Sequence, residues 1–174
     1  MTSDGLAALH PAYFALVMAT GIVSIACGLL GLRPVAVGLL WPNTVFFLVL
    51  WLLTGLRILW FRDRVVADLT HHGRAVGFFT MVAATSVLGS QWLVLAGAWQ
   101  LAAGLWAATI VLWATITYSV FTALTVKADK PALDEGINGG WLVSVVAAQS
   151  VSVLGSQLAA GFGARAHRRC CCSA

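Results

Sequence analysis

The chain has 174 residues, of which 60% are hydrophobic and only 9% charged, with a formal net charge of +4. Soluble domains carry about 25% charged residues, so a water-soluble globule is excluded. The small positive balance sits in the polar segments between apolar ones, where it reports membrane orientation rather than nucleic-acid binding.

Five stretches reach the roughly 20 apolar residues needed to cross about 30 Å of hydrocarbon. They are predicted at 13–32, 41–61, 75–95, 100–125 and 141–162. The first opens at His10-Pro11, where a proline costs nothing because the first helical N–H groups have no partner anyway. It does not read as a signal peptide, because residues 1–12 contain no Lys or Arg and the apolar run is too long. Ser24-Ile25-Ala26-Cys27 faintly resembles a lipoprotein cleavage site, but the missing positive region argues against it. Cys27 itself reads as a small hydrophobe in an apolar helix. The first span carries Ala19-Thr20-Gly21 near its middle.

The second span is predicted to open at Trp41-Pro42-Asn43 and is bulky throughout. Arg57 is the single charge inside any span and lies one turn from its end, where it is expected to snorkel to the headgroups. The polar segment that follows holds Arg62, Arg64 and Arg74 against Asp63 and Asp68, with His71-His72 between them. A metal site needs more ligands at workable spacing, so none is expected there. The three arginines read first as topology signals and second as a means of concentrating anions.

The third span, FFTMVAATSVLGSQ, is rich in small and hydroxyl residues and carries Ala84-Thr85-Ser86. The fourth is bulky again, with Leu105, Trp106, Ile110, Leu112 and Trp113. The fifth, WLVSVVAAQSVSVLGSQ, repeats the small, polar character and carries Ala148-Gln149-Ser150. Thr20 and Thr85 are 65 apart, Thr85 and Gln149 are 64 apart, and the string VLGSQ recurs 66 residues on, at 87–91 and 153–157. This spacing predicts a two-helix repeat. Small residues let backbones approach and hydroxyls bond across helices, while bulky residues suit lipid. Odd helices are therefore expected inside and even helices outside. Trp41, Trp60, Trp92, Trp99 and Trp141 are expected at the headgroup level.

Thr20 and Ser24, Thr85 and Ser86, and Gln149, Ser152 and Ser156 are the candidate residues lining a polar path. Ser144, Ala148, Ser152 and Ser156 share one helix face by their four-residue spacing. The bland alternative for any one such stripe is a packing face; recurrence at one hairpin period favours a path at the interface between repeats. No ionisable residue falls in the path, which suits neutral groups and helix dipoles acting on an anion rather than a proton relay through carboxylates. No HExxH, GxSxG or phosphate-binding glycine loop occurs, so neither an enzyme nor a cofactor is expected.

Arg62, Arg64 and Arg74, with Lys127 and Lys130 after the fourth span, place the N-terminus in the cytoplasm of a multi-pass cell-membrane protein. The ending, 164–174, with Arg165, Arg168, Arg169 and Cys170-Cys171-Cys172, disagrees with that topology. Either it is a basic tail with lipidated cysteines, which requires a cytoplasmic position, or the natural chain continues differently and this ending is an artefact. The topology rule favours the second. Adjacent cysteines do not suit a tetrahedral metal site.

The run from His10 to Gly21, together with Phe78-Phe79-Thr80, Trp141-Leu142 and Gln149-Ser150-Val151, resembles the tellurite-resistance/C4-dicarboxylate transporter family, which includes the plant slow anion channels. The resemblance implies an all-α membrane fold of ten helices in five hairpins, with odd helices forming a pore and even helices an outer ring. It implies transport of small anions such as C4-dicarboxylates, tellurite resistance in some members, and a homotrimer as in bacterial relatives. Five spans are about half of that fold, and the gating phenylalanine of the family lies on a ninth helix with no counterpart here. The expectation is a transporter or channel subunit, or a truncated member; a non-transporting assembly or scaffold protein is the alternative.

Overall fold

The computed structural model describes residues 9–126 and 139–171, without the side chains of 70, 72, 124 and 162–171. Lys127 and Lys130 and most of the Cys-rich ending therefore lie outside the described residues or their side chains. Among the described residues the chain is all-helical. Five helices are long and apolar enough to cross a membrane. In hydrocarbon every backbone polar group must be satisfied within its own segment, which is why apolar stretches of this length become helices.

The first is α1 (Phe14–Leu29), preceded by a 3-10 turn, Pro11–Tyr13. It ends in a Schellman motif: Leu32 N–H bonds to Cys27 O at 2.9 Å and Gly31 N–H to Gly28 O at 3.2 Å. Gly31 takes φ 82°, the left-handed conformation this cap demands of a residue without a Cβ. The chain turns directly into α2 (Arg33–Trp60). This helix begins eight residues before the expected opening at Trp41, because Pro34 already occupies its first turn. Pro42 thus lies inside the helix, where it leaves the carbonyl of Gly38 without its usual donor. At 28 residues α2 is about 42 Å long, enough to overshoot the hydrocarbon and keep Trp41 near its edge. Trp41 stacks edge-on with Trp92 there, ring centroids 5.8 Å apart.

Two short helices, α3 (Arg62–Thr70) and α4 (His72–Ala75), form the polar connection to a 3-10 turn, Val76–Phe78, and α5 (Phe79–Ala96). Gly97 closes α5 at φ 63°, with its N–H on Leu93 O at 3.1 Å. Then come α6 (Trp99–Val126), a 3-10 turn at Gly139–Trp141, and α7 (Leu142–Cys171).

Helix α5 is the axle of the bundle. It packs against α1, α2, α6 and α7, and every residue from Phe79 to Gln91 except Val87 is buried. Close approach depends on glycine. A Cβ on Gly21 would lie 2.6 Å from Val87 Cγ1, one on Gly28 2.6 Å from Leu95 Cδ2, and one on Gly89 2.7 Å from Leu154 Cδ2. These contacts fix register and direction. Gly77 meets Ala12, Gly21 meets Val87 and Gly28 meets Leu95, so α1 and α5 run the same way. The turns that open α5 and α7 touch each other and Gly89 meets Leu154 farther on, so α7 runs with them. Helix α2 packs on α1 and α5, and α6 on α5 and α7, each outside the row α1–α5–α7. Their outward faces are apolar, with Leu48, Leu52 and Val111 exposed as lipid requires.

At the end where the chain enters α1, the expectation for Arg57 is overturned. It does not snorkel: it is 3% exposed and its Nη2 lies 2.6 Å from Asp68 Oδ2. Asp68, 5% exposed, also forms an ion pair with Arg74, whose Nε lies 3.1 Å from Oδ1. The physical reason is that α3 folds back against α2 and supplies a carboxylate nearer than any headgroup.

Candidate functional site

The polar residues of the three parallel helices fall into two groups. The first is a buried network near the far ends of α1 and α5. Gln91 Nε2 donates to Ser24 Oγ at 2.7 Å, Asn43 Nδ2 donates to Gln91 Oε1 at 2.8 Å, and Ser24 Oγ donates to Ala36 O at 2.8 Å. Ser24, Asn43 and Gln91 are each fully buried. Neutral amides and hydroxyls are tolerated here because each side chain finds a partner on another helix, although Asn43 Oδ1 is buried without one among the described residues. The network sits beside the Gly21 crossing, since a Cβ there would also meet Asn43 Nδ2 at 3.1 Å and Gln91 Oε1 at 3.6 Å. Trp92 Nε1 adds a bond to Thr44 Oγ1 at 3.2 Å.

The second group lies at mid-height. With Gly21 level with Val87, Thr20 of α1 stands level with Ser86 of α5. With Gly89 level with Leu154, the stretch from Gln149 to Ser152 of α7 lies at about the same height. Ser86 is 1% exposed and its Oγ has no hydrogen-bond partner among the described residues. Thr20 is half-buried, whereas Gln149, Ser152 and Ser156 lie on an exposed face of α7.

Of the seven residues expected to line a path, Ser24 is thus held in the network. Thr85 is buried and donates back to Met81 O at 2.7 Å in its own helix. Ser152 and Ser156 likewise donate to Ala148 O at 3.3 Å and Val153 O at 2.8 Å. Thr20, Ser86 and Gln149 make no hydrogen bond with the described residues. The small, polar face is exposed on α7 and enclosed on α5, because four helices surround α5 while α7 packs mainly on α5 and α6 among the described residues.

Asn43 and Gln91 were not among the expected site residues. Their signal was present in outline: Gln91 ends the first VLGSQ string and Gln157 the second. The second copy is not wired the same way. Gln157 Oε1 is buried without a partner, and Thr109, 66 residues beyond Asn43, donates to Leu105 O at 2.7 Å in its own helix. The α5–α7 contact is instead made by Gly89 on Leu154, while α7 is tied to α6 by Trp106 Nε1, which donates to Val151 O at 3.1 Å. Among the described residues no group of His, Cys, Asp and Glu could hold a metal ion.

A family model described as voltage-dependent anion channel matches residues 8–170. No curated protein and no solved structure matches the chain.

Proposed function

The chain belongs to the voltage-dependent anion channel family, that of the tellurite-resistance/C4-dicarboxylate transporters, and from that premise we propose that α1, α5 and α7 form one wall of an anion pathway. The family is one of channels and transporters rather than enzymes, and the multi-pass helical chain is a membrane protein. The observation that carries the reading is the mid-height layer of uncharged donors: Thr20, the unpartnered Ser86 hydroxyl, and Gln149. Such groups can replace part of an anion's hydration shell without a fixed charge that would trap it. Ser24, Thr85, Ser152 and Ser156 belong to the same wall, but their hydroxyls must leave a protein carbonyl to reach an anion.

The exposed polar face of α7 is where further helices would continue the wall as a repeat of hairpins, supplied by a second copy in a homo-oligomer or by a longer chain. C4-dicarboxylates, tellurite-related oxyanions and smaller anions are the substrate classes, and the positive-inside rule puts the N-terminus in the cytoplasm. A non-transporting assembly protein is the second reading, favoured by that same exposed face.

Proteoliposomes loaded with malate or chloride separate the two readings. Flux of either anion is expected, reduced severalfold by Ser86→Ala, whose only loss is one hydroxyl. Absence of flux from both this chain and a form extended by its natural downstream sequence would leave the assembly reading.

A further inference from the structure

We propose that His10 is a proton-binding site that clasps the entry turn of α1 to the start of α5 only while its imidazole is neutral, so that acid releases this end of the bundle. His10 Nδ1 accepts the N–H of Ala12 at 3.1 Å, capping the turn Pro11–Tyr13. That bond needs a free lone pair, so the ring proton must sit on Nε2. The turn is also fitted to α5. The hydroxyl of Thr80, which shares its proton between Gly77 O at 2.6 Å and Pro11 O at 3.0 Å, touches the turn, and a Cβ on Gly77 would lie 3.2 Å from both Ala12 N and His10 Cε1. Cap, hydroxyl and glycine thus converge on four residues of entry chain.

Three charged groups act electrostatically on the ring: Arg57 of α2, Asp68 of α3 and Arg74 of α4. The start of α5 contributes Thr80 and no charge. Asp68 is shared between the two arginines, so the cluster carries a formal excess of one positive charge. Burial, then Arg74, with a smaller push from Arg57, hold the His10 pKa below its ordinary 6.5 against the opposing pull of Asp68. Protonation therefore removes the acceptor that caps the turn and adds a positive charge that Arg74 and Arg57 oppose.

The sign follows from the lowered value. The released form binds more protons than the clasped form, so the clasp is fully present above about pH 6.5 and is lost as pH falls through the lower, clasped-state pKa. With an ordinary pKa of about 6.5 on release and a clasped ring that stays neutral, the opening equilibrium rises by up to about 25-fold from pH 7 to pH 5.

Amide hydrogen exchange at Ala12, measured on the full chain in lipid and corrected for the intrinsic pH dependence, reads this directly. Protection is expected to fall by up to that factor in acid. His10→Asn keeps an oxygen acceptor, good at a cap, that does not titrate; it should hold its protection at both pH values, and His10→Ala should lack it at both. Equal pH responses in the native chain and in His10→Asn would overturn the proposal. Because exchange rather than flux is read, the outcome does not depend on whether the chain conducts anions.

Discussion

Replacing Asp68 with alanine is expected to destabilise the fold by about 3–5 kcal/mol, the cost of removing one partner from a buried ion pair. Arg57 is 3% exposed, and the replacement deprives it of the carboxylate that lies 2.6 Å away, with Arg74 remaining on the same side as an uncompensated like charge. The damage should be local in origin and global in effect, because α3, which carries Asp68, ties the ends of α2 and α6 together. Equilibrium unfolding in mixed micelles, followed by tryptophan fluorescence, measures it. The double replacement Arg57→Leu with Asp68→Leu should recover most of the loss, since well-packed apolar residues commonly substitute for a buried pair at little cost. A loss below about 1 kcal/mol for Asp68→Ala would mean that Arg57 reaches water or headgroups after all.

The second large effect is expected at Gly21. An alanine there places a methyl 2.6 Å from Val87 Cγ1 and 3.1 Å from Asn43 Nδ2. Neither neighbour can yield freely: valine is stiff at χ1, and the amide of Asn43 is held by Gln91. Overpacking of this kind costs about 1–3 kcal/mol, only part of which the better helix propensity of alanine returns. Gly21→Leu, with no place for its side chain, should separate α1 from α5 and abolish anion flux. The companion change Val87→Ala removes the obstructing methyl and should restore stability to Gly21→Ala. A Gly21→Leu chain that still conducts would show that the α1–α5 crossing does not shape the path.

Much of the architecture was legible in the residues because lipid leaves a chain so little choice. Long apolar runs become helices, and of the three small, polar spans only the third is enclosed, the first and fifth being no more buried than the bulky second and fourth. The failures share a cause, which is that partners distant in sequence leave no local pattern. Arg57 looked like a snorkelling residue because Asp68 is eleven positions away across a break in the helix. Pro42 looked like a boundary because proline more often ends a helix than interrupts one, and Pro34 was overlooked as the earlier start. The pairing of Gln91 with Ser24 and Asn43 joins positions 67 and 48 residues apart. Among the candidate residues, Ser24, Thr85 and Ser86 are buried between helices, whereas Gln149, Ser152 and Ser156 are exposed. Whether a given hydroxyl is free, as in Ser86, or bonded back to its own helix, as in Thr85, depends on rotamer and surroundings that spacing does not encode.

The direction of the bonds made by α5 bears on how the protein is built at the ribosome. Every described side-chain hydrogen bond that leaves this helix for another element points to an earlier part of the chain: Gln91 to Ser24 and Asn43, Trp92 to Thr44, Thr80 to Pro11. The contacts of α5 with helices not yet synthesised, such as Gly89 against Leu105 and Leu154, involve no described side-chain hydrogen bond. Gln91 can thus enter the bilayer onto a hydroxyl and an amide already in place, whereas Asn43, made earlier, has no partner for its amide until α5 follows.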